Sequence, residues 1–127
     1  MIAAIMLLAQ AGTFEPNPPL SAMRQIKVPE LKRVIPDSRV EYGIPGALEF
    51  YLFRRDGSFE RFGPQIRDMG HWLIKDDLFC TVSPREICRK LFVDKRGRYY
   101  FVLYPSVLQR PWRIKLTVNA KIPALPR

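Results

Sequence analysis

From residue 47 onward the chain is broken by turn signals so often that it has room only for short strands. Leu48-Glu49-Phe50-Tyr51-Leu52-Phe53 is rich in aromatic residues, Asp56-Gly57 follows as a hairpin turn, and Phe59-Glu60-Arg61-Phe62 returns before Gly63-Pro64 ends the unit. His71 to Lys75 runs into Asp76-Asp77, and Leu78 to Val82 comes back. A two-residue turn there places Trp72, Ile74, Phe79 and Thr81 on one face, because side chains alternate along a strand. Ile87 to Asp94 is the next strand. Lys95-Arg96-Gly97 turns it, with Gly97 in the left-handed position of a three-residue loop, and Arg98 to Tyr104 returns. Last, Trp112, Ile114, Leu116 and Val118 alternate with Arg113, Lys115, Thr117 and Asn119, the cleanest period-two stretch in the sequence. No segment carries a long helical period. The pattern predicts an all-β domain over residues 47–119, an antiparallel meander of about seven strands curled into a small barrel or sandwich.

The flanks differ. Residues 12–46 contain Pro16, Pro18, Pro19, Pro29, Pro36 and Pro45. Proline fixes φ and pushes the preceding residue to extended geometry, so this stretch reads as a Pro-rich extended arm with one helical turn near Glu30 to Val34. Pro123 and Pro126 mark residues 120–127 as a flexible tail. Residues 1–11, MIAAIMLLAQA, are uncharged and apolar and end in the small-x-small triplet Ala9-Gln10-Ala11, before the polar Gly12-Thr13-Phe14-Glu15-Pro16. That is the pattern of a secretory signal peptide cut after Ala11. It is shorter than the ~20 residues a transmembrane anchor needs. The expectation is a periplasmic or secreted protein with no transmembrane anchor. The competing reading makes residues 1–11 an N-terminal core strand or helix of a cytoplasmic protein.

Cys80 and Cys88 are the only cysteines, eight apart. The loop from Val82 to Glu86 sets them directly opposite one another, and that register predicts a cross-strand disulfide if the compartment is oxidising. A reducing compartment leaves two buried thiols instead. Two cysteines and one histidine without C-x-x-C spacing do not supply a structural zinc shell, and no cofactor motif is present.

Composition matters here through charge. The 127 residues carry a net charge of +9, and none of it comes from the first two thirds. Met1 to Pro84 is neutral, with ten basic and ten acidic residues, whereas Arg85 to Arg127 has eleven basic residues against Glu86 and Asp94 alone. A basic face built from Arg96, Arg98, Arg110, Arg113, Lys115 and Lys121 suits an anionic envelope component, an anionic lipid surface or an acidic protein. With 47% hydrophobic residues the chain is too apolar to be disordered, and its length allows one modest core.

Catalytic chemistry has little to stand on. The single histidine, His71, has no nucleophile-elbow motif around Ser58, Ser83 or Ser106 to work with, and Asp76-Asp77 reads as a turn. The run from Arg96 to Tyr104 approaches the aromatic strand motif of RNA-recognition folds, where rings stack bases and arginines hold phosphates. A two-sided core strand accounts for the same residues, and an exported protein would not meet nucleic acid.

Gly70-x-Trp72, Leu78-Phe79-Cys80, Cys88 and Arg96-Gly97-Arg98-Tyr99-Tyr100 together form a G-x-W…LC…C…G-x-Y pattern. Over residues 70–104 it resembles small exported proteobacterial β-sheet proteins, most of them domains of unknown function. The resemblance implies an exported sheet domain with a Cys80–Cys88 bridge and brings no catalytic residues. The chain is thus expected to be a small exported, non-enzymatic β-domain that binds an anionic component through its basic C-terminal face. The alternatives are a cytosolic OB-like barrel binding single-stranded nucleic acid, and a small hydrolase using His71.

Overall fold

The computed structural model describes residues 16–123. A single 3₁₀ turn, Leu20–Ala22, precedes strand β1 (Arg24–Gln25) and helix α1 (Val28–Val34). Eight further strands follow: β2 (Ser38–Tyr42), β3 (Glu49–Phe53), β4 (Ser58–Gly63), β5 (Ile66–Lys75), β6 (Leu78–Val82), β7 (Glu86–Val93), β8 (Tyr99–Tyr104) and β9 (Trp112–Thr117). Each of β2 to β8 pairs antiparallel with the next, and β9 closes the ring on β2. The result is a closed up-and-down barrel of eight strands, with β1 outside it on the edge of β7. Barrels of this size hold just enough space for side chains or one small ligand.

The turns are those the residues require. Asp76 and Asp77 both take positive φ, 52° and 59°, the two-residue turn whose twist matches the flanking strands. It sets Ile74 opposite Phe79 and Trp72 opposite Thr81. Gly57 and Gly97 take φ of 94° and 80° in two loops of the same build, each donating its N–H to the carbonyl three residues back. The register of β6 and β7 puts Cys80 opposite Cys88, and the two are joined by a disulfide.

Inward positions alternate with outward ones on every strand, and the inner set forms the main core. Phe53, Phe79, Leu91 and Val40 are fully buried there. One end of the barrel is closed by the segment that leads into and out of α1, whose Ile26, Leu31 and Ile35 are also fully buried in that core. The helix is docked on the β5–β6 turn: Asp77 accepts the otherwise unpaired Val28 N–H at 2.7 Å. A second, smaller cluster lies outside the barrel, where Leu20 and Met23 cover Phe92, Tyr100 and Val102 on the outer face of β7 and β8.

The extended arm expected over residues 12–46 is therefore corrected across its described part. Pro29 lies in the first turn of α1, where a proline removes no helical hydrogen bond. Pro36 and Pro45 bracket a proline-free run whose Val40 and Tyr42 point inward as part of β2. Without β2 the meander could not close, since both β3 and β9 pair with it. The domain thus begins well before residue 47, and barrel rather than sandwich is the architecture. The start of the expected tail is tied down as well, because Ala120 N–H donates to the Asp37 carbonyl and Pro123 accepts from Arg54 Nε at 2.9 Å. The expected signal peptide over 1–11, the arm's residues 12–15 and the tail's residues 124–127 lie outside the described residues. Among the described residues no helix is long and apolar enough to cross a membrane.

Candidate functional site

The end of the barrel opposite α1 is open. A cavity of about 180 Å³ enters it between the aromatic walls Tyr42, Tyr51, Phe101 and Trp112, with Ile87 and Leu103 at the side and the guanidiniums of Arg61 and Arg89 in the lining. The tyrosines are stacked, Tyr42 on Tyr51 at 5.9 Å and Tyr51 on Phe53 at 5.4 Å, and Trp112 meets Tyr42 edge-on at 6.4 Å. This chain of rings runs from the rim down to the closed core. Both guanidiniums lie against the same ring, 5.7 Å and 5.6 Å from the Tyr51 centroid.

The two arginines are not equivalent. Arg61 is matched by acid: it pairs with Glu49 at 2.6 Å and with Asp68 at 3.7 Å, and it donates to the Tyr42 hydroxyl. Arg89 is only 7% exposed, and among the described residues no carboxylate lies within ion-pair distance of it. Its polar partners are neutral oxygens, Thr81 Oγ1 at 3.1 Å, the Ile87 carbonyl at 3.3 Å and the Tyr51 hydroxyl at 3.5 Å. Phe79 and Phe101 flank it at 5.9 Å and 5.6 Å. Burial, first, lowers the pKa of this guanidinium, and nearby Arg61 lowers it further. A guanidinium nevertheless stays protonated in a protein, so a buried positive charge faces the cavity. Burial also pushes the Tyr42 phenol well up, so it remains a hydrogen-bond donor.

None of the eight lining residues is a carboxylate, histidine, serine or cysteine. The lining offers donors, cations and ring faces, which bind, and no nucleophile–base pair, which would react. Arg89 and Arg61 are absent from the site expected from sequence. Their signal is phase. On β7, Ile87, Arg89, Leu91 and Val93 share one face and Cys88, Lys90 and Phe92 the other, so Arg89 stands where an apolar residue belongs. Arg61 likewise shares the phase of the buried Phe59.

The six residues of the expected basic face do not form one patch. Arg96 and Arg98 lie on the β7–β8 loop at the closed end, where Arg98 Nε pairs with Asp94 at 2.8 Å and the Arg96 N–H donates to the same carboxylate. Arg113 lies on the outer wall, 5.9 Å from the Tyr100 ring, and Lys115 stands opposite Glu41 of β2. Lys121 is exposed beyond β9. Arg110 sits on the β8–β9 loop, at the far end of the barrel from Arg96 and Arg98.

The aromatic run of β8 is a two-sided core strand. Tyr99 and Phe101 pack inward, and Tyr100 is buried beneath the N-terminal segment with its hydroxyl on Asp94 at 2.8 Å. Those rings are not displayed for base stacking, and the eight-strand meander differs from the five-stranded Greek key of an OB-fold. His71 is exposed on β5 opposite Ser58, whose hydroxyl donates to Asp56 at 2.7 Å. Cys80 and Cys88 lie on the outer wall with Glu86 close by, their sulfurs bonded to each other.

No protein-family model matches the sequence, and neither a curated protein nor a solved structure matches it.

Proposed function

We propose that this chain is a non-enzymatic binding protein of the cell envelope that holds a small anion with a flat apolar body in the mouth of its barrel. The observation that carries the proposal is Arg89, a buried cation whose partners among the described residues are neutral, facing a cavity walled by rings. Burying a charge without a counter-ion is costly, and a carboxylate entering the cavity would supply one through a two-pronged, charge-assisted pair. The aromatic walls suit a planar body, and Tyr42 and Arg61 can donate at its edge. A cavity of about 180 Å³ is below the ~300–1,000 Å³ of drug-sized sites, which favours a ligand of about one ring. Export is supported by the apolar opening residues with their small-x-small triplet, by the disulfide, and by the G-x-W…LC…C…G-x-Y pattern. The anionic partner expected from sequence is kept, and its place moves from the outer basic residues to the barrel interior.

The test is titration calorimetry with benzoate and with its neutral counterpart benzamide. Benzoate is expected to bind and benzamide to bind about tenfold more weakly or not at all, and Arg89→Met should abolish the preference. Equal binding of the two compounds, or an unchanged preference in Arg89→Met, would overturn the proposal.

A further inference from the structure

The open end differs from the rest of the surface in a second respect. Large apolar side chains are exposed there on two loops, of which the β8–β9 loop is tied to the N-terminal segment by the Asn17 amide donating to the Pro111 carbonyl at 3.0 Å. Val107 is 98% and Leu108 78% exposed at the tip of the β8–β9 loop, and Ile44 is 69% exposed on the β2–β3 loop. The two loops are neighbours on the rim because β2 pairs with β9 and Tyr42 meets Trp112. Trp112 and Tyr104, each about half exposed, stand just behind the tips.

We infer that this rim docks on an anionic lipid bilayer, with Val107, Leu108 and Ile44 entering the acyl boundary and Arg110 held at the phosphates. Shape favours a bilayer. A side chain that is almost wholly free in the folded protein sits on a convex tip, which a fluid layer accepts without a matching surface, whereas a second protein would need a complementary hollow. Charge favours it too. Residues 43–48 carry no charge, residues 105–111 carry only Arg110, and no acidic residue follows Asp94 anywhere in the chain. Of the acids near the rim, Glu86 is paired with Lys75 and Glu49 and Asp68 with Arg61, and Glu41 stands opposite Lys115 of β9. A second copy of a +9 chain is repelled at long range, and an anionic lipid surface attracts it. The half-exposed Trp112 and Tyr104 are of the residue types that settle at the headgroup level.

The proposal does not rest on what the cavity holds. It is tested by sedimenting the full chain with phosphatidylcholine vesicles, with and without phosphatidylglycerol, at about 0.1 M salt. Sedimentation is expected with the anionic vesicles, weaker sedimentation with the neutral ones, and a blue shift of tryptophan emission on binding. Val107→Ser/Leu108→Ser should weaken binding about tenfold or more while keeping the melting temperature and benzoate binding of the parent. Arg110→Gln should reduce the preference for the anionic vesicles several-fold. Failure to sediment with anionic vesicles, or sedimentation that the double serine variant leaves intact, would refute the inference. So would light scattering that shows a dimer in the parent and a monomer in the double variant, because a second copy would then be the occupant. The apolar residues 1–11 are common to parent and variants, so they cannot account for the expected difference.

Discussion

The two ends of this barrel are finished in opposite ways by the same eight strands. At the closed end, inward positions and the segment around α1 meet carbon to carbon, with Leu31, Ile35, Phe53 and Phe79 fully buried. At the open end the inward positions carry Arg61, Arg89 and two tyrosines, which line a cavity rather than a closed core. Both ends also bury charge, and at the closed end the buried Arg54 is paired with Glu60 at 3.5 Å. Asp94, next to the closed end, has a side chain 4% exposed that is met by the Arg98 guanidinium, the Tyr100 hydroxyl and two backbone N–H groups. Among the described residues Arg89 is met by neutral oxygens and ring faces alone. Strand alternation decides which residues enter the barrel. What then fills each end is decided by a segment outside the barrel, and among the described residues α1 and its flanks supply one at the closed end only.

The largest effect separating the ends should come from Leu31→Ala. Truncating a fully buried leucine removes its burial and leaves a cavity, so about 3 kcal/mol of unfolding free energy should be lost in urea denaturation. The same change at Leu108, 78% exposed on the rim, should stay within about 0.5 kcal/mol of the parent. Equal losses at the two positions would mean that α1 is not a structural lid.

That contrast also marks where sequence reasoning holds and where it stops. The seven strands expected after residue 47, the Asp76-Asp77 turn, the left-handed Gly97 and the Cys80–Cys88 register all follow from local rules, because turn chemistry and period two act over a few residues. Strand β2 was hidden because prolines flank it and its pairing partners lie far along the chain, at Glu49–Phe53 and Lys115–Thr117. The helix α1 is only seven residues long and is held by tertiary burial and by Asp77, neither of which its own sequence reveals. Charge density along the chain gathers the basic residues into one face, whereas barrel topology sends Arg96 and Arg98 to one end and Arg110 to the other. Arg89 was legible in principle, as a cation in the apolar phase of β7, but phase alone does not say whether a carboxylate waits opposite.

A smaller effect should appear in the acid behaviour of Asp94. Burial pushes its carboxyl up, and the hydrogen bonds from the Arg98 N–H, the Tyr100 hydroxyl, the Arg98 guanidinium and the Arg96 N–H outweigh that, holding it well below the usual carboxylate range. A group depressed in the folded state contributes stability that is present above its unfolded value, near pH 4, and lost as the pH falls from there toward the folded value. Asp94→Asn should therefore lower the urea midpoint at pH 7 and flatten its decline between about pH 4 and pH 2. An unchanged acid limb would show that the carboxylate's partners at the closed end contribute nothing to folding.

The smallest effect expected of a buried side chain is at Arg89. In Arg89→Met the chain keeps a long side chain between Phe79, Phe101 and Tyr51 and gives up a cation that no carboxylate offsets. The desolvation removed and the three hydrogen bonds lost act in opposite directions, so unfolding free energy should remain within about 1 kcal/mol of the parent. The result bears on function because stability and binding should part company: the variant is as stable as its parent and has lost the preference for benzoate. A loss of about 3 kcal/mol or more would instead make Arg89 a structural member of the core. The two ends of the barrel would then differ in chemistry but not in purpose, and the site would have no unmatched charge to offer a ligand.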